Sequence, residues 1–467
     1  MITFILNNEK VSTGSAAGSS LLDFIRYEMC LPGTKIGCRE GDCGACTVLM
    51  GSVENGTLKY KSIVSCLTPL VNAHGKHIVT VEGINTGHLS TVQKALVDNS
   101  ATQCGFCTPG IVMSLTAYSL ADAKPAAETA VASVSGNICR CTGYKSIEKA
   151  AEAIAVILQN KNICDPVSWL VEQKHLPDYF LTIAERLTEI PNAKPSSADE
   201  GIRIAGGTDL MVQKAEELGN SDIISFQDRK DLKGINIING TCVIGAAVTM
   251  SEVEHSATLR KFLPELPSYM KLIASEPVRN MATVAGNIVN ASPIGDMSVM
   301  LLALNADVTI AGAGEVRTVP LKNFFLGYKK IDLAKEEFIS SIAFDYRPEP
   351  VLFNFEKVSK RTHLDIASVN SAIRITMKGQ NINECHLSAG GVSPVPLFLR
   401  KASEFLSGKP VTSEIILQAN TVMQEEISPI SDVRGSAEYK RLLLRQLLVA
   451  HFLRLFPEKL NISIDQL

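Results

Sequence analysis

The sequence predicts a soluble protein of the α+β class that is built from several domains. Its 467 residues are more than one hydrophobic core usually holds. Strand-like alternation recurs near both ends of the chain, whereas residues 83 to 159 show mainly helical spacing. We therefore expect an α+β domain (1–80), a four-helix domain (83–159), a larger α+β domain (168–345) and a small α+β domain (350–460).

The first domain is predicted from two strands and one helix around a loop rich in glycine and cysteine. Thr3–Asn7 and Thr47–Met50 have the apolar pattern of strands. Leu21–Met29 has apolar residues at helical spacing, and Ser20 is placed to cap that helix. The loop between them covers residues 37–45.

The second domain is predicted as four short helices, an arrangement typical of a bundle. Ser90 can cap Thr91–Asp98. Thr108 can cap the next helix, in which Pro109 takes the first position, where a missing N–H has no consequence. Ala126–Ser133 and Ser146–Gln159 follow.

The third and fourth domains mix strands with helices. The predicted strands are Arg203–Ala205, Val243–Ile244, Ala372–Met377 and Glu384–Ser388, and the predicted C-terminal helices are Ser413–Glu425 and Ala437–Leu455. A polar stretch over residues 160–166 separates the third domain from the helical one.

Composition excludes several classes of function. A net charge of −3 argues against nucleic-acid binding. No apolar stretch is long enough to span a membrane, and no signal peptide is present, so a cytoplasmic location is expected. Twelve cysteines in such a chain indicate metal or redox chemistry rather than disulfides. Eight form two groups, and we interpret the scattered Cys30, Cys164, Cys242 and Cys385 as small core residues.

The first cysteine group has the spacing of a plant-type [2Fe–2S] cluster. Cys38, Cys43 and Cys46 follow the pattern C-x4-C-x2-C, and nineteen residues separate Cys46 from Cys66. Gly37, Gly41 and Gly44 would let the loop adopt positive φ and bring backbone N–H groups close to the sulfurs. A zinc site would more often show paired C-x2-C knuckles.

The second cysteine group lies near the starts of two predicted helices. Cys104 and Cys107 form C-x2-C, and Cys139 and Cys141 form C-x-C. Helix N-termini favour thiolates and an anionic cluster. By spacing alone a zinc knuckle stays open, although the C-x-C half does not favour it.

Three segments around the cysteines resemble the iron–sulfur domains of the molybdenum hydroxylases. The helical segments are TQCGFCTPG (102–110) and GNICRCTGY (136–144), and the loop segment is GCREGDCGAC (37–46). The resemblance implies a plant-ferredoxin-like domain and a helical [2Fe–2S] domain, with all eight cysteines as ligands. It also implies that Gln103 and Cys141 face a molybdopterin.

Two further segments resemble the FAD domain of the xanthine dehydrogenases. IRIAGGTDL (202–210) is a strand, a glycine turn and a helix start, which alone indicates little, and RNMATVAGNIVNASPIGD (279–296) is rich in small and hydrogen-bonding residues. The resemblance implies FAD contacts at Ala205, Gly206, Gly207, Thr208, Asp209, Leu210, Thr283, Gly286, Asn287, Asn290 and Asp296. It places Ile273 and Ile339 beside the flavin ring and Lys357 in contact with it, although a solvated lysine is an alternative for Lys357.

The resemblance covers nearly the whole chain and ends in a C-terminal flavoprotein domain. There GGVSPVP (390–396) and RGSAEY (434–439) have structural roles. It implies an iron–sulfur/FAD subunit with no catalytic residue of its own, whose partner is a large molybdopterin-binding subunit, in a heterotetramer. Electrons from purine oxidation would reach the second cluster, then the first, then FAD and NAD+.

One departure from the family concerns the electron acceptor. Some members carry two acidic residues before Ile-Ala, whereas Leu364-Asp365-Ile366-Ala367 has one, which leaves NAD+ or oxygen open. Rival hypotheses are a hydroxylase subunit for aldehydes or other N-heterocycles, a free-standing flavin and iron–sulfur reductase, and a zinc scaffold. No nicotinamide-binding domain is recognisable, which does not favour the reductase.

Overall fold

The computed structural model describes residues 1–85, 87–191, 201–312, 314–347, 351–361 and 363–460. The chain divides into two compact units. The first contains Met1–Asp228 and Ser275–Ala282, and the second contains Arg229–Ala274 and Thr283–Leu467. Among the described helices, none combines the length and apolar character needed to cross a membrane. The α+β class is confirmed.

The first unit opens with a five-stranded sheet in the order β2-β1-β5-β3-β4. Its strands are β1 (Ile2–Leu6), β2 (Glu9–Thr13), β3 (Thr47–Glu54), β4 (Thr57–Val64) and β5 (His77–Val79). Within this sheet β1 and β5 pair in parallel, and the other neighbouring strands pair antiparallel. Helix α1 (Leu21–Asp23) packs on the sheet, and the Asp23 amide donates to the Ser20 hydroxyl at 3.1 Å, so the cap is confirmed. The expected α-helix continues instead as a π-helical turn, Phe24–Glu28.

Four helices follow, as predicted. They are α2 (Thr91–Asp98), α3 (Thr108–Leu120), α4 (Ala127–Ser133) and α5 (Lys145–Ile157). Ser90 and Gln93 form a capping box on α2. The expected cap at Thr108 is wrong, because Thr108 is already helical and Cys107 is the N-cap residue. The first cysteine pair of this region therefore sits directly at the start of α3.

The first unit closes with short elements. They are α6 (Pro166–Glu172), α7 (Ile183–Thr188), β6 (Ile202–Ile204), α8 (Leu210–Gln213), α9 (Ala215–Gly219), β7 (Ile223–Ser225) and, further along the chain, α13 (Glu276–Arg279). Strands β6 and β7 pair in parallel. The predicted strand at 203–205 is thus confirmed with a shift of one residue.

The second unit contains an antiparallel five-stranded sheet in the order β11-β10-β14-β9-β8. Its strands are β8 (Ile235–Ile238), β9 (Thr241–Gly245), β10 (Asp307–Ala311), β11 (Arg317–Pro320) and β14 (Phe338–Asp345). Around it lie α10 (Met250–His255), α11 (Ala257–Phe262), α12 (Leu266–Met270), α14 (Val284–Asn290), α15 (Asp296–Ala303), α16 (Leu321–Phe324) and the hairpin β12 (Phe325–Gly327) and β13 (Lys330–Ile331).

A second antiparallel sheet of this unit packs against long helices. It comprises β15 (Leu352–Val358), β16 (Val369–Lys378), β17 (Asn381–Gly390) and β18 (Leu397–Phe398), covered by α17 (Arg400–Leu406), α18 (Ser413–Glu426) and α19 (Ala437–Leu455). Ile373, Leu387, Leu448 and Phe452 are completely buried between sheet and helices.

The scattered cysteines follow the prediction only in part. Cys242 and Cys385 are buried, as expected of core residues, whereas Cys30 and Cys164 are exposed, so that expectation was wrong for them.

Candidate iron–sulfur and flavin sites

The first cysteine loop is held by backbone geometry and by one surface ion pair. Arg39, Gly41 and Gly44 have positive φ of 58°, 79° and 67°. The Arg39 guanidinium donates two hydrogen bonds to Asp23, at 2.9 and 2.7 Å, which anchors the loop to α1. Gly37 does not have positive φ; a Cβ there would lie 2.5 Å from the Cys43 sulfur. Glycine is therefore required at position 37 because a side chain there would collide with the Cys43 thiol.

The four thiols of the first group form two hydrogen-bonded pairs. A hydrogen bond between Cys38 and Cys43 lowers the pKa of Cys38 to about 5 and raises the pKa of Cys43. A second bond, between Cys46 and Cys66, lowers the pKa of Cys46 and raises the pKa of Cys66. Cys38 interacts electrostatically with both Cys46 and Cys66, so all four sulfurs lie close together. Cys66 comes from a 3-10 turn, Ser65–Leu67, directly after β4.

Backbone amides point at these sulfurs, as the sequence predicts. The Glu40 amide donates to the Cys38 sulfur at 3.3 Å. The amides of Asp42 and Cys43 also hydrogen-bond to the Cys38 sulfur, and the Gly41 amide hydrogen-bonds to the Cys66 sulfur. Such a cradle of N–H groups stabilises negative charge on sulfur. The donor set therefore fits a [2Fe–2S] cluster, in which each iron takes two thiolates.

The second cysteine group forms the same paired arrangement at the start of α3. Cys107 pairs with Cys139, and burial together with this bond raises the pKa of Cys107 to about 12. Cys104 pairs with Cys141 and thereby raises the pKa of Cys141. Burial raises the pKa of Cys139, but hydrogen bonds with Thr142 and Cys107 lower it overall. Among the described residues, no group of three or more His, Cys, Asp or Glu side chains is placed to hold a metal ion. The pairing of Cys107 with Cys139 and of Cys104 with Cys141 is compatible with a [2Fe–2S] cluster, whose two irons share four thiolates.

One half of the second group faces solvent. Cys107 and Cys139 are buried, whereas Cys104 and Cys141 are exposed. Gln103 is exposed beside them, and three large apolar side chains nearby are also exposed: Phe106 (47%), Ile138 (40%) and Tyr144 (41%). Exposed apolar groups around a thiol pair are characteristic of a surface that another molecule covers.

The two cysteine groups are in direct backbone contact. The Ile138 amide, one residue before Cys139, donates to the Cys43 carbonyl at 3.0 Å. The Asn137 side chain donates to the Gly44 carbonyl at 3.1 Å and accepts from the Ser114 hydroxyl at 2.8 Å. A Cβ at Gly110 would lie 2.1 Å from the Gly44 oxygen, so the two backbones approach as closely as glycine permits. Sequence reasoning assigned no role to Asn137 or Ser114, since only the fold reveals this contact.

The glycine turn predicted to contact FAD lies in the first unit, after β6. A Cβ at Gly206 would lie 1.9 Å from the Met281 carbonyl oxygen, so this glycine is required by packing. The Ala205 carbonyl accepts from Asn72 at 2.8 Å. Leu210 begins the short helix α8, as expected. The structure brings Ala205, Gly206, Gly207, Thr208 and Asp209 together as one turn.

The second predicted flavin segment lies in the second unit, around α14. The Thr283 hydroxyl accepts from the Gly286 amide at 3.1 Å and caps the helix. The buried Oδ1 atom of Asn287 has no hydrogen-bond partner among the residues that the structure describes, so it is available to a ligand donor. Asn290 accepts from the Lys329 ammonium at 2.8 Å. An unsatisfied acceptor at Asn287 is compatible with a bound cofactor.

Lys357 and Asp296 form a buried ion pair. The Lys357 ammonium donates to Asp296 at 2.7 Å and to the Leu272 carbonyl at 2.7 Å, and its side chain is only 2% exposed. The alternative of a solvated lysine was therefore wrong. Burial raises the pKa of Asp296, although Lys357 and Asn370 oppose the shift. Asn370 donates to the other Asp296 oxygen at 2.5 Å.

The remaining predicted contacts are buried apolar residues and one loop. Ile273 is 7% exposed, and Ile339 on β14 is 2% exposed. In the segment 364–367, the Asp365 carboxylate accepts hydrogen bonds from the amides of Arg361 at 2.9 Å and Ile366 at 3.0 Å. This carboxylate therefore shapes its own loop.

Four family models match consecutive parts of the chain. They are a 2Fe-2S iron-sulfur cluster binding domain at 4–71, a [2Fe-2S] binding domain at 80–152, an FAD binding domain in molybdopterin dehydrogenase at 179–344 and a CO dehydrogenase flavoprotein C-terminal domain at 355–455.

Relatives are similar over much of the chain. Xanthine dehydrogenase 1 of Arabidopsis thaliana is 28% identical over 97% of this chain and 39% of its own length, so this chain spans about two fifths of that relative. A carbon monoxide dehydrogenase from Hydrogenophaga pseudoflava that lacks the Mo-pyranopterin moiety is 27% identical, with TM-score 0.51, over 53% of this chain and 86% of its own. Quinoline 2-oxidoreductase from Pseudomonas putida 86 is 25% identical, with TM-score 0.50, over 54% of this chain and 88% of its own.

Proposed function

Since the chain belongs to the iron–sulfur and FAD part of the molybdenum hydroxylase family, we propose that it carries electrons from a purine-oxidising molybdopterin site to NAD+. The observation that carries this proposal is the 3.0 Å hydrogen bond from the Ile138 amide to the Cys43 carbonyl. It connects Ile138, which directly precedes Cys139 of the second group, to Cys43 of the first group. The two proposed clusters would therefore be linked by a short path of covalent bonds and one hydrogen bond.

We assign the ligands as the sequence predicted. Cys38, Cys43, Cys46 and Cys66 would hold one [2Fe–2S] cluster, and Cys104, Cys107, Cys139 and Cys141 the other. FAD would bind at the glycine turn from Ala205 to Leu210 and at Ile273, Thr283, Gly286, Asn287, Asn290, Asp296, Ile339 and Lys357. When bound, these groups supply single-electron carriers and a flavin that transfers hydride. The protein contributes placement and potential, and no acid–base residue is required.

We further propose that a separate molybdopterin-binding chain covers the exposed face of the second cysteine group. The apolar side chains of Phe106, Ile138 and Tyr144 around Cys104 and Cys141 support such an interface. About half of this chain corresponds to most of a whole chain in the solved carbon monoxide dehydrogenase, so parts of it exist elsewhere as separate subunits. We expect two copies of each chain and a cytoplasmic location.

Purines are the favoured substrate because the matched relative from Arabidopsis is a xanthine dehydrogenase. A second candidate is oxidation of another N-heterocycle, which the match to quinoline 2-oxidoreductase favours. The substrate would be bound by the partner chain, and NAD+ or oxygen would be reduced beside the loop that contains Asp365.

The test is an anaerobic purification of this chain with its bound partner, followed by visible spectra with and without xanthine. Molybdenum, iron and FAD are measured in the same sample. Bleaching of the flavin and iron–sulfur bands by xanthine, with reoxidation by NAD+, supports the proposal. A molybdenum-containing sample that xanthine leaves unchanged but quinoline bleaches supports the second candidate. A colourless sample contradicts both.

A further inference from the structure

Asn137 is the side chain that connects the two cysteine loops within the first unit. It is 5% exposed and lies two residues before Cys139. Its Nδ2 atom donates to the Gly44 carbonyl at 3.1 Å, and its Oδ1 atom accepts from the Ser114 hydroxyl on α3 at 2.8 Å. The carboxamide therefore links the first cysteine loop, through the Gly44 carbonyl, to helix α3, through the Ser114 hydroxyl.

The other bonds of Gly44 remain inside the first loop. Its carbonyl also accepts from the Thr47 amide at 3.2 Å and the Thr47 hydroxyl at 2.7 Å. These bonds shape the loop but do not tie it to the second group. The adjacent Cys43 carbonyl accepts the Ile138 amide, so any movement of Gly44 away from Asn137 would stretch that contact.

We propose that Asn137, supported by Ser114, is a positioning residue for electron transfer between the two clusters. Its carboxamide holds the Gly44 carbonyl and so keeps the Ile138 amide on the Cys43 carbonyl. The inference rests on the proposed function. In the step concerned, one electron leaves the reduced second cluster and enters the oxidised first cluster, and no bond forms or breaks.

Three variants of the full chain separate this role from general packing. Asn137→Leu removes both hydrogen bonds, and Ser114→Ala removes only the support of the carboxamide. Ser119→Ala is the matched control, because Ser119 is a buried residue on α3 whose hydroxyl donates to the Leu115 carbonyl at 2.9 Å, within its own helix. Each is purified with its cofactors, and its iron content and two cluster potentials are measured first.

The readout is the rate at which an electron from a flash-generated reductant equilibrates between the clusters, followed by rapid-freeze EPR. We expect this rate to fall about fivefold to tenfold in Asn137→Leu, because loss of the hydrogen bond that holds the Gly44 carbonyl lowers the population of the closed contact by that order. Ser114→Ala should show a smaller decrease, with potentials unchanged, and Ser119→Ala none. If Asn137→Leu does not fold, Ser114→Ala decides alone.

Two clusters at full iron content with wild-type rates in Asn137→Leu, or in Ser114→Ala when it decides alone, would overturn the inference but leave the proposed function intact. Wild-type protein without two [2Fe–2S] signals would instead contradict the proposed function itself.

Discussion

The two cysteine groups share one ligand chemistry but differ in exposure. In the first group Cys46 and Cys66 are buried and Cys38 and Cys43 are partly covered, whereas in the second group Cys104 and Cys141 lie open to solvent. The first group is surrounded by its own loop and by the helical region. The second is covered on one side only, and exposed apolar side chains surround the open side. The difference supports the proposed order, in which the second site would receive electrons from a partner chain and the first would pass them on.

Replacing single cysteine ligands should give the largest measurable effects on the two groups. Cys46→Ser and Cys141→Ser should each lose about half of the bound iron and one of two EPR signals, because each [2Fe–2S] cluster needs four thiolates. Only Cys46→Ser should also lower the free energy of unfolding, since Cys46 is 3% exposed. Cys242→Ser, at a buried cysteine outside both groups, is the control and should keep all of the iron. Two intact signals in Cys141→Ser would contradict the assignment.

The contrast between buried and exposed partners extends to the second unit. Lys357→Met leaves Asp296 buried without its cation and should lower the free energy of unfolding by about 3–5 kcal/mol. Lys94→Met removes an exposed ion pair, in which the side chains of Lys94 and Asp98 are 69% and 55% exposed. This substitution should change the free energy of unfolding by only about 0–1 kcal/mol. Urea unfolding measures both.

The free energy of unfolding of the Lys357→Met variant should also depend on pH. Burial already raises the pKa of Asp296 above its unfolded value, and without Lys357 the shift grows. A carboxyl with a raised folded pKa is favoured in its protonated form. The variant should therefore regain stability as the pH falls through that raised pKa and lose it as the pH rises. Equal loss at all pH values would contradict this account.

A smaller change should affect the second cluster alone. The Thr142 hydroxyl lies 3.2 Å from the Cys139 sulfur. Thr142→Val removes this bond and should lower the second cluster's potential by roughly 40 mV, which corresponds to about 1 kcal/mol for one electron. Redox titration followed by EPR measures both clusters. An equal shift at the first cluster would show that the two sites are not distinguished in this way.

The smallest effect is expected at the Arg39–Asp23 pair of the first loop. The Arg39 side chain is 46% exposed, so Arg39→Ala should lower the free energy of unfolding by less than about 1 kcal/mol. The hydrogen bond from Arg39 lowers the pKa of Asp23, so its stabilisation is complete above the unfolded pKa and disappears as the pH falls through the folded one. Salt should reduce the difference between wild type and variant; an unchanged difference would contradict a Coulombic origin.

The sequence by itself determined the features that depend on local spacing. Four thiols at ferredoxin spacing, the Ser90 cap and the helical period of Ala437–Leu455 are properties of adjacent residues, and the structure confirms the cap and that helix as predicted. The glycine turn after β6 was also predictable, because a strand followed by two glycines must turn.

Only the tertiary structure decided which thiols pair, which are covered and what joins the two groups. The Cys46–Cys66 pair, the burial of Lys357 against Asp296 and the contact of Asn137 with Gly44 each bring together residues that are far apart in the chain. The exposure of Cys30 and Cys164 was mispredicted for the same reason. Burial and long-range hydrogen bonds depend on packing between elements, and local sequence patterns do not specify that packing.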